Sequence, residues 1–218
     1  MKNCGKWHRQ IFMILGLIIC LLPAAAQNER YRPEQFERKE RDAYQKPEEV
    51  IAAIGLQTGQ SIADIGGGSG YFTRRFAKVV GPNGVAYCCD LATNLLVYLQ
   101  ERAKEEHLSN LVTVYAAPDR PMLPPGSVDH IFFCDTSHHL KDRVEYYRNL
   151  KPILREGGQL VVIDWHKREQ EVGPPPGHNV ARETVIAELK EAGWKLVREE
   201  DFLKYQYFLI FKPVDRTE

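Results

Sequence analysis

Apolar segments of two kinds alternate along the chain from about residue 46 onward. Short continuous apolar runs are typical of strands buried on both faces, and apolar residues spaced three and four apart are typical of helices packed on one face. The predicted strands are 61–65, 85–89, 112–115, 128–134, 160–163, 194–197 and 207–211. The predicted helices are 47–54, 71–80, 94–107, 143–154 and 182–192. Such an alternation predicts an α/β fold with a parallel sheet.

The last two predicted strands have no helix between them, so we expect them to pair as an antiparallel hairpin. The pattern therefore predicts a Rossmann-like doubly wound sheet of seven strands, mostly parallel, with that hairpin at its C-terminal end. Asn94 is the expected cap of the third helix, and Gly157-Gly158 the expected turn before the fifth strand.

Composition limits the possible partners of the chain. It has 218 residues, with 44% hydrophobic and 27% charged, which fits one globular domain. Basic and acidic residues number 29 each. The first 26 residues contain three basic side chains and no acid, which leaves a net charge of about −3 on the rest. A nucleic-acid partner is not expected, because such binding needs a basic surface.

The N-terminus has the three parts of an export signal. Three basic residues precede an apolar run at 11–22, and Pro-Ala-Ala-Ala follows at 23–26. We expect cleavage after Ala26 and an exported, periplasmic or secreted, mature chain. The alternative is an uncleaved signal, in which residues 11–22 anchor the protein to a membrane. The expected organisation is a signal peptide at 1–26, an N-terminal lid or linker at 27–45, the main domain at 46–212 and a short tail at 213–218.

A glycine-rich loop at 64–70, with the sequence DIGGGSG, joins the first predicted strand to the next helix. Backbone N–H groups at such a loop and helix start can hold an anion, and glycine lets the backbone come close to it. Asp90, at the end of the second strand, is suitably placed to accept hydrogen bonds from a ribose. The candidate binding residues here are Asp64, Gly66, Gly67, Gly68, Gly70 and Asp90.

The spacing of the glycines separates the possible ligands. In the dinucleotide pattern GxGxxG/A, the third small residue would fall on Tyr71, which would block the close helix–strand packing that the pattern requires. No GxxxxGK[ST] sequence is present, so a P-loop is not predicted. A nicotinamide-dependent oxidoreductase and a glycine-rich turn without a ligand remain as alternatives.

The observed DxGxGxG pattern resembles motif I of the class I S-adenosylmethionine (SAM)-dependent methyltransferases. Ser127-Val128-Asp129 and the stretch LKPILREGG at 150–158 are similar to later parts of the same family. The resemblance covers about residues 45–212 and is nearest to the type 11-like, small-molecule branch that includes quinone-biosynthesis enzymes. It implies SAM as cofactor, with Asp90 at the ribose and with Leu91 and Asp119 as further cofactor contacts.

Residues that follow the fourth strand are the candidates for the chemistry. Asp135 is expected at the amino end of SAM, and His138 or His139 offers an imidazole that titrates near neutrality to a methyl acceptor. We expect His139 at the mouth of the pocket. Asp135 and Asp164 also stand where metal-dependent O-methyltransferases carry two acids, but Trp165 replaces the usual Asn, and no metal is predicted.

The sequence therefore predicts an enzyme that moves a methyl group from SAM to a small-molecule acceptor. The absence of [DN]PP[YF] after the fourth strand argues against amino methylation of nucleobases or glutamine. The loop at 172–178 is expected to cover the acceptor, and Tyr31, Phe36 and Tyr44 are candidate lid residues. The alternative is a non-catalytic SAM-binding protein with the same fold.

Overall fold

A seven-stranded sheet forms the centre of the protein in the computed structural model, which describes residues 31–214. The strands are β1 (Ser61–Ile65), β2 (Val85–Asp90), β3 (Leu111–Tyr115), β4 (Val128–Cys134), β5 (Leu154–Trp165), β6 (Trp194–Glu200) and β7 (Gln206–Pro213). Their order is β3-β2-β1-β4-β5-β7-β6. β7 runs antiparallel to both β5 and β6, and the other neighbours are parallel. The predicted doubly wound architecture is confirmed.

Helices cover both faces of this sheet. They are α1 (Glu40–Gln45), α2 (Pro47–Ile54), α3 (Thr73–Val80), α4 (Thr93–Glu105), α5 (Arg143–Leu150) and α6 (Arg182–Glu191). Buried residues of α2 and α3 share one core cluster, and those of α5 and α6 share another. α4 packs over Cys88, on the same face of β2 as Ala86 and therefore beside α3.

The pleat of the strands assigns their residues to these two cores. In β1, Ala63 and Ile65 join the α5–α6 side and Ile62 joins the α2–α3 side, as the two-residue period of a strand requires. Trp194 is the largest fully buried side chain, and its indole N–H donates to the carbonyl of Tyr147 at 2.9 Å. Burying an apolar side chain of this kind contributes roughly 2–3 kcal/mol, so the core holds the strand ends firmly.

Several predicted boundaries are wrong for identifiable reasons. Asn94 does not cap its helix, which begins one residue earlier after Ala92, and its amide instead donates to the carbonyl of Tyr31 at 2.7 Å. β5 runs through Gly157-Gly158 rather than starting after them. The helix predicted at 143–154 ends at Leu150, where a 3-10 turn at Lys151–Ile153 begins at the Lys-Pro pair.

The strand predicted at 112–115 is confirmed, but it is not covered on both faces. β3 is one of the two edge strands of the sheet, and Val112 and Tyr115 are exposed. The short apolar sequence of β3 therefore belongs to an edge strand and not to a central strand of the sheet.

The parallel strands β1, β2, β4 and β5 all end at one edge of the sheet, called here the carboxyl edge. Open α/β sheets bind ligands outside this edge, where the strand order reverses. The reversal lies between β1 and β4, which are neighbours although β2 and β3 intervene in sequence. The glycine loop follows β1, and Asp135 follows β4, so the sheet brings both to this point.

Residues 31–45 pass over the carboxyl edge and are called here the lid. The lid contains a 3-10 turn at Pro33–Gln35 and the helix α1. The predicted signal peptide and its cleavage site lie outside the described residues. Within residues 31–214, no helix has both the length and the apolar character that a membrane crossing requires.

Candidate functional site

The glycine loop is closely packed against neighbouring elements. Gly66 and Gly70 have φ of 68° and 83°, which disfavour any side chain. A Cβ on Gly66 would lie 2.6 Å from Thr136 Oγ1, and one on Gly70 would lie 2.8 Å from Leu99 Cδ2. Both positions therefore need glycine for conformation and for space. A Cβ on Gly67 would also collide with Cys88 Sγ, at 2.8 Å.

Asp64 lies beneath this loop and is almost fully buried. Its carboxylate accepts a hydrogen bond from the Thr73 hydroxyl, with 2.6 Å between Oδ2 and Oγ1. Burial raises the pKa of Asp64 to about 7, against the opposing effect of that hydrogen bond. The contact joins the end of β1 to the start of α3, so Asp64 holds the loop in shape from below.

Asp90 fastens the loop from the next strand. One carboxylate oxygen accepts from the N–H of Gly68 at 2.9 Å and the other from the N–H of Ala92 at 2.8 Å. Burial raises the pKa of Asp90, and these backbone N–H groups oppose the rise. The remaining lone pairs of this carboxylate are suited to ribose hydroxyls.

The two other predicted cofactor contacts differ in exposure and surroundings. Leu91 follows Asp90 directly, and its side chain is 47% exposed. Asp119 is exposed in the turn between Ala117 and Arg120, and its carboxylate lies 3.9 Å from the Arg120 guanidinium. The sheet thus brings Leu91 to the edge of the glycine loop, whereas Asp119 stands on a separate surface loop.

Asp135 occupies an unusual backbone position at the end of β4, with φ of 56°. A non-glycine residue in this region costs roughly 1 kcal/mol or more, and such strain is concentrated at functional sites. Gln206 donates to Oδ1 at 2.5 Å and Gln45 approaches Oδ2 at 3.4 Å. Burial raises the pKa of Asp135 to about 6, and the charge of Asp164 adds to the rise. A cationic group beside Asp135 would therefore be strongly favoured.

Asp164, at the end of β5, is fully buried and accepts four hydrogen bonds. The donors are Ser137 Oγ at 2.6 Å, His138 N at 3.2 Å, His138 Nδ1 at 2.8 Å and Trp165 N at 2.8 Å. Burial lowers the pKa of His138, but the hydrogen bond and charge of Asp164 and the charge of Asp135 outweigh it, so the net shift is upward. The result is an imidazole held by a carboxylate, in a 3-10 turn at Ser137–His139.

His139 follows in the same turn and is exposed, with its ring centroid 4.1 Å from that of His138. Both predicted histidines therefore stand at the carboxyl edge, and the His138 ring is hydrogen-bonded to Asp164. Sequence reasoning had singled out Asp164 only as half of a metal site. The position of Asp164 at the end of a strand is the sequence feature that indicates a functional role.

The lid forms hydrogen bonds to the glycine loop and to the ends of β4 and β7. Glu37 accepts a hydrogen bond from Ser69 of the glycine loop at 2.6 Å. At the other end of the lid, the buried Gln45 donates to Cys134 Sγ at 2.8 Å and to Gln206 Oε1 at 3.2 Å. Sequence reasoning missed Glu37 and Gln45, because a polar residue in a charged N-terminal stretch carries no local mark of burial.

Arg41 lies in the middle of the lid. Its guanidinium stacks 3.9 Å above the Tyr71 ring and donates to Gln45 Oε1 and to the carbonyl of Phe36. Its positive charge lowers the pKa of Asp64 and of Asp135, so it partly balances the buried acids. The ring of Tyr44, a candidate lid residue, lies 5.6 Å from that of Trp165.

An open cavity of about 900 Å³, called here the lid cavity, lies between the lid, the end of β5 and the β6–β7 connection. Of the loop predicted to cover the acceptor, Val172 and Gly173 line it. A Cβ on Gly173 would lie 2.8 Å from the Trp165 ring, so this loop packs directly on the indole. Among residues 31–214, no group of three or more His, Cys, Asp or Glu side chains is arranged to hold a metal ion.

A family model described as a methyltransferase domain matches residues 63–160, from within β1 into β5. A SAM-dependent methyltransferase from Aquifex aeolicus has the same fold with a TM-score of 0.79 and 27% identity, over 84% of this chain and 98% of that one. Residues 63–160 therefore match a methyltransferase domain, and the fold is that of a class I SAM-dependent methyltransferase. The methyl donor of this family is SAM, and a glycine loop flanked by buried acids suits its ribose and its ammonium group.

Curated relatives of this methyltransferase domain include the ubiquinone/menaquinone biosynthesis C-methyltransferase UbiE of Hahella chejuensis, 28% identical over 119 residues. The UbiE protein of Pseudomonas aeruginosa is 26% identical over a stretch of the same length. These stretches cover 54% of this chain and 48% and 46% of the relatives, so the chain spans about half the length of the curated relatives it matches. A phosphoethanolamine N-methyltransferase 2 of Haemonchus contortus, in complex with SAM, shares the fold at a TM-score of 0.63 and 16% identity.

Proposed function

We propose that the chain catalyses methyl transfer from SAM to a small-molecule acceptor. The observation that carries this proposal is the convergence of three features at the carboxyl edge. They are the tightly packed glycine loop, Asp90 bound to that loop, and the strained Asp135 with its raised pKa. The quinone-biosynthesis names of the curated relatives support an acceptor that is a small molecule.

SAM supplies a methyl group that is already activated on a sulfonium, so positioning provides much of the rate. The protein groups then have separate tasks. Asp90 accepts from the ribose, and Asp135 receives the ammonium group, which favours the ionised form of this carboxyl. Leu91 and Asp119 are proposed as contacts for the rest of the nucleoside, with Asp119 the more distant of the two.

His138 is the group that we propose to remove a proton from the acceptor. Asp164 lies 2.8 Å from Nδ1, which fixes the proton on that nitrogen and leaves Nε2 as the basic atom. An imidazole oriented by a buried carboxylate is the usual arrangement of a general base. His139 is the alternative base, since it is exposed at the same edge and lies against the His138 ring.

Two measurements test the proposal. S-adenosylhomocysteine should bind the folded protein with a micromolar dissociation constant, roughly −7 to −8 kcal/mol, by titration calorimetry. Methyl uptake from labelled SAM should then be screened over small-molecule extracts. A folded protein that gives no heat with SAM or with S-adenosylhomocysteine contradicts the proposal.

The two histidines are separated by matched variants. With an acceptor in hand, His138→Gln should lower kcat by about 10²-fold or more if it is the base, and leave cofactor affinity nearly unchanged. His139→Gln is the control, because it removes the neighbouring imidazole of the same turn. The opposite ranking of the two variants assigns the base to His139.

We also propose that the protein is exported and that its mature chain begins at Gln27. The proposal rests on the basic, apolar and small-residue segments at the N-terminus. Intact-mass measurement on protein recovered from its native host tests it. A mass that includes residues 1–26 replaces export with membrane anchoring through residues 11–22.

A further inference from the structure

The lid cavity carries an inference about the chemical class of the methyl acceptor. Its volume of about 900 Å³ lies within the range of small-molecule sites in proteins. It lies at the carboxyl edge, and two of its lining residues are next in sequence to residues of the proposed reaction site: Tyr44 precedes the Gln45 that approaches Asp135, and Trp165 follows the Asp164 that holds His138. The lid cavity is therefore the candidate for the acceptor pocket.

Aromatic rings form the apolar part of the cavity. They come from three separate parts of the chain: Tyr44, Trp165, Phe202 and Tyr205. Rings arranged around a cavity of this size favour a flat apolar body, because offset and edge-on ring contacts add to the burial of area. The 5.6 Å separation of the Tyr44 and Trp165 rings defines the wall nearest the reaction site.

Positive charge forms the polar part. Four cations line the cavity with a single acid, Glu40, in a chain whose overall formal charge is zero: Arg38, Arg41, Lys46 and Lys204. Two of these four cations already interact with other protein groups. Arg41 is bonded within the lid, and Lys204 lies 3.3 Å from Glu171. Arg38 and Lys46 make no ion pair with any of residues 31–214, and the Lys46 ammonium lies 5.9 Å from the centroid of the Phe202 ring, so both charges face the cavity without an acidic partner among these residues.

We propose that the acceptor bound in the lid cavity is a small planar aromatic anion, such as an aromatic carboxylate, with its rings on Trp165 and Tyr44 and its charge at Arg38 and Lys46. This inference rests on the proposed methyl transfer. It adds the class of molecule that receives the methyl group. A neutral aromatic of the same shape would use the rings and leave the two cations without a partner.

The experiment uses the protein as it exists and a pair of probes that differ only in charge, 2-naphthoate and 2-naphthamide. Each is titrated with S-adenosylhomocysteine saturating, so that the cofactor site is already filled, and binding is followed by calorimetry and by quenching of tryptophan fluorescence. Trp165 lines the cavity, whereas Trp194 is buried in the core. The carboxylate should bind about five- to tenfold more tightly than the amide, and added salt should reduce the difference.

Substitutions identify the source of this preference. In the double variant Arg38→Gln and Lys46→Gln, the two probes should bind with nearly equal affinity. Lys195→Gln is the matched control, because Lys195 is an exposed lysine at the opposite end of β6 from the cavity. That variant should keep the full preference for the carboxylate.

Three results overturn the inference. They are equal binding of the two probes to the unmodified protein, a preference that survives the double substitution, and no binding of the carboxylate while S-adenosylhomocysteine fills the cofactor site. Any of these leaves the proposed methyl transfer standing if S-adenosylhomocysteine still binds. Failure of S-adenosylhomocysteine to bind contradicts the proposed function itself, so the two outcomes are distinguishable.

Discussion

Replacement of Asp164 by asparagine tests the role of the His138 imidazole. Asp164 accepts two hydrogen bonds on each carboxylate oxygen and is fully buried. Asparagine keeps only one acceptor oxygen, so two of the four donors would meet an amide NH₂ instead. Each orphaned donor costs about 1–3 kcal/mol, and we expect Asp164→Asn to reduce the free energy of unfolding by roughly 2–6 kcal/mol.

The same substitution changes the titration of His138. The hydrogen bond and charge of Asp164 raise the pKa of His138 against the opposing effect of burial. A base acts when deprotonated, so activity should rise as the pH passes through this raised pKa. Asp164→Asn removes the main raising influence, and the inflection should move to lower pH, with kcat lowered about 10- to 100-fold because Nδ1 loses its acceptor.

The stability of the fold depends on the same pKa of His138, but it falls with rising pH where activity rises. Because the folded-state pKa of His138 is raised, the pair stabilises the fold fully below the ordinary histidine pKa of about 6.5. That contribution is lost as the pH rises through the raised pKa.

The assay is the pH profile of kcat and kcat/KM together with urea unfolding of the same samples. Asp129→Asn is the matched control, since Asp129 accepts from the N–H of Ser61 at 2.7 Å at the opposite edge of the sheet. The control should lose some stability and keep the pH inflection. An unchanged inflection and an unchanged kcat in folded Asp164→Asn would refute the assignment of His138 as the base.

Three further predictions concern the cofactor site. Asp90→Ala should weaken S-adenosylhomocysteine binding by about 1.5–3 kcal/mol in calorimetry, and equal affinity would place the ribose elsewhere. Gly66→Ala should lower the unfolding midpoint more than Gly126→Ala, because both residues have positive φ but only Gly66 faces a neighbouring side chain. Asp64 and Asp135 have pKa values raised to about 7 and about 6, so the folded state keeps protons that the unfolded state releases. Stability of the ligand-free protein should therefore fall as the pH rises from about 4 to about 7, and a slope that Asp135→Asn leaves unchanged would contradict this.

The seven-stranded, mostly parallel sheet and its C-terminal hairpin were accessible from the sequence, because most strands contain a short apolar run and the parallel strands alternate with helical patterns. The glycine loop was accessible because its glycines and Asp64 are adjacent in sequence. Boundaries failed where tertiary contacts decided them. Asn94 has the composition of a helix cap, but its amide bonds to Tyr31, and β5 extends through two glycines because pairing with β4 continues there.

The candidate site was only partly predictable. Asp90 and Asp135 are recognisable from their places at strand ends, and the histidines follow the second of them. The choice between His138 and His139 depends on which ring Asp164 holds, and 25 residues separate Asp164 from the nearer histidine in sequence. The lid contacts of Glu37 and Gln45 could not be predicted for the same reason. They join residues that are 32 and 90 positions apart in sequence.

The lid contacts affect the rate at which the cofactor is exchanged between catalytic cycles. Glu37 is bound to the glycine loop and Gln45 to the end of β4, so a nucleoside entering between them has to displace hydrogen bonds at both ends of one short segment. Spent cofactor has to pass the same barrier on its way out. Dissociation of S-adenosylhomocysteine would then limit the turnover rate. An acceptor could remain bound in the lid cavity while the cofactor is exchanged.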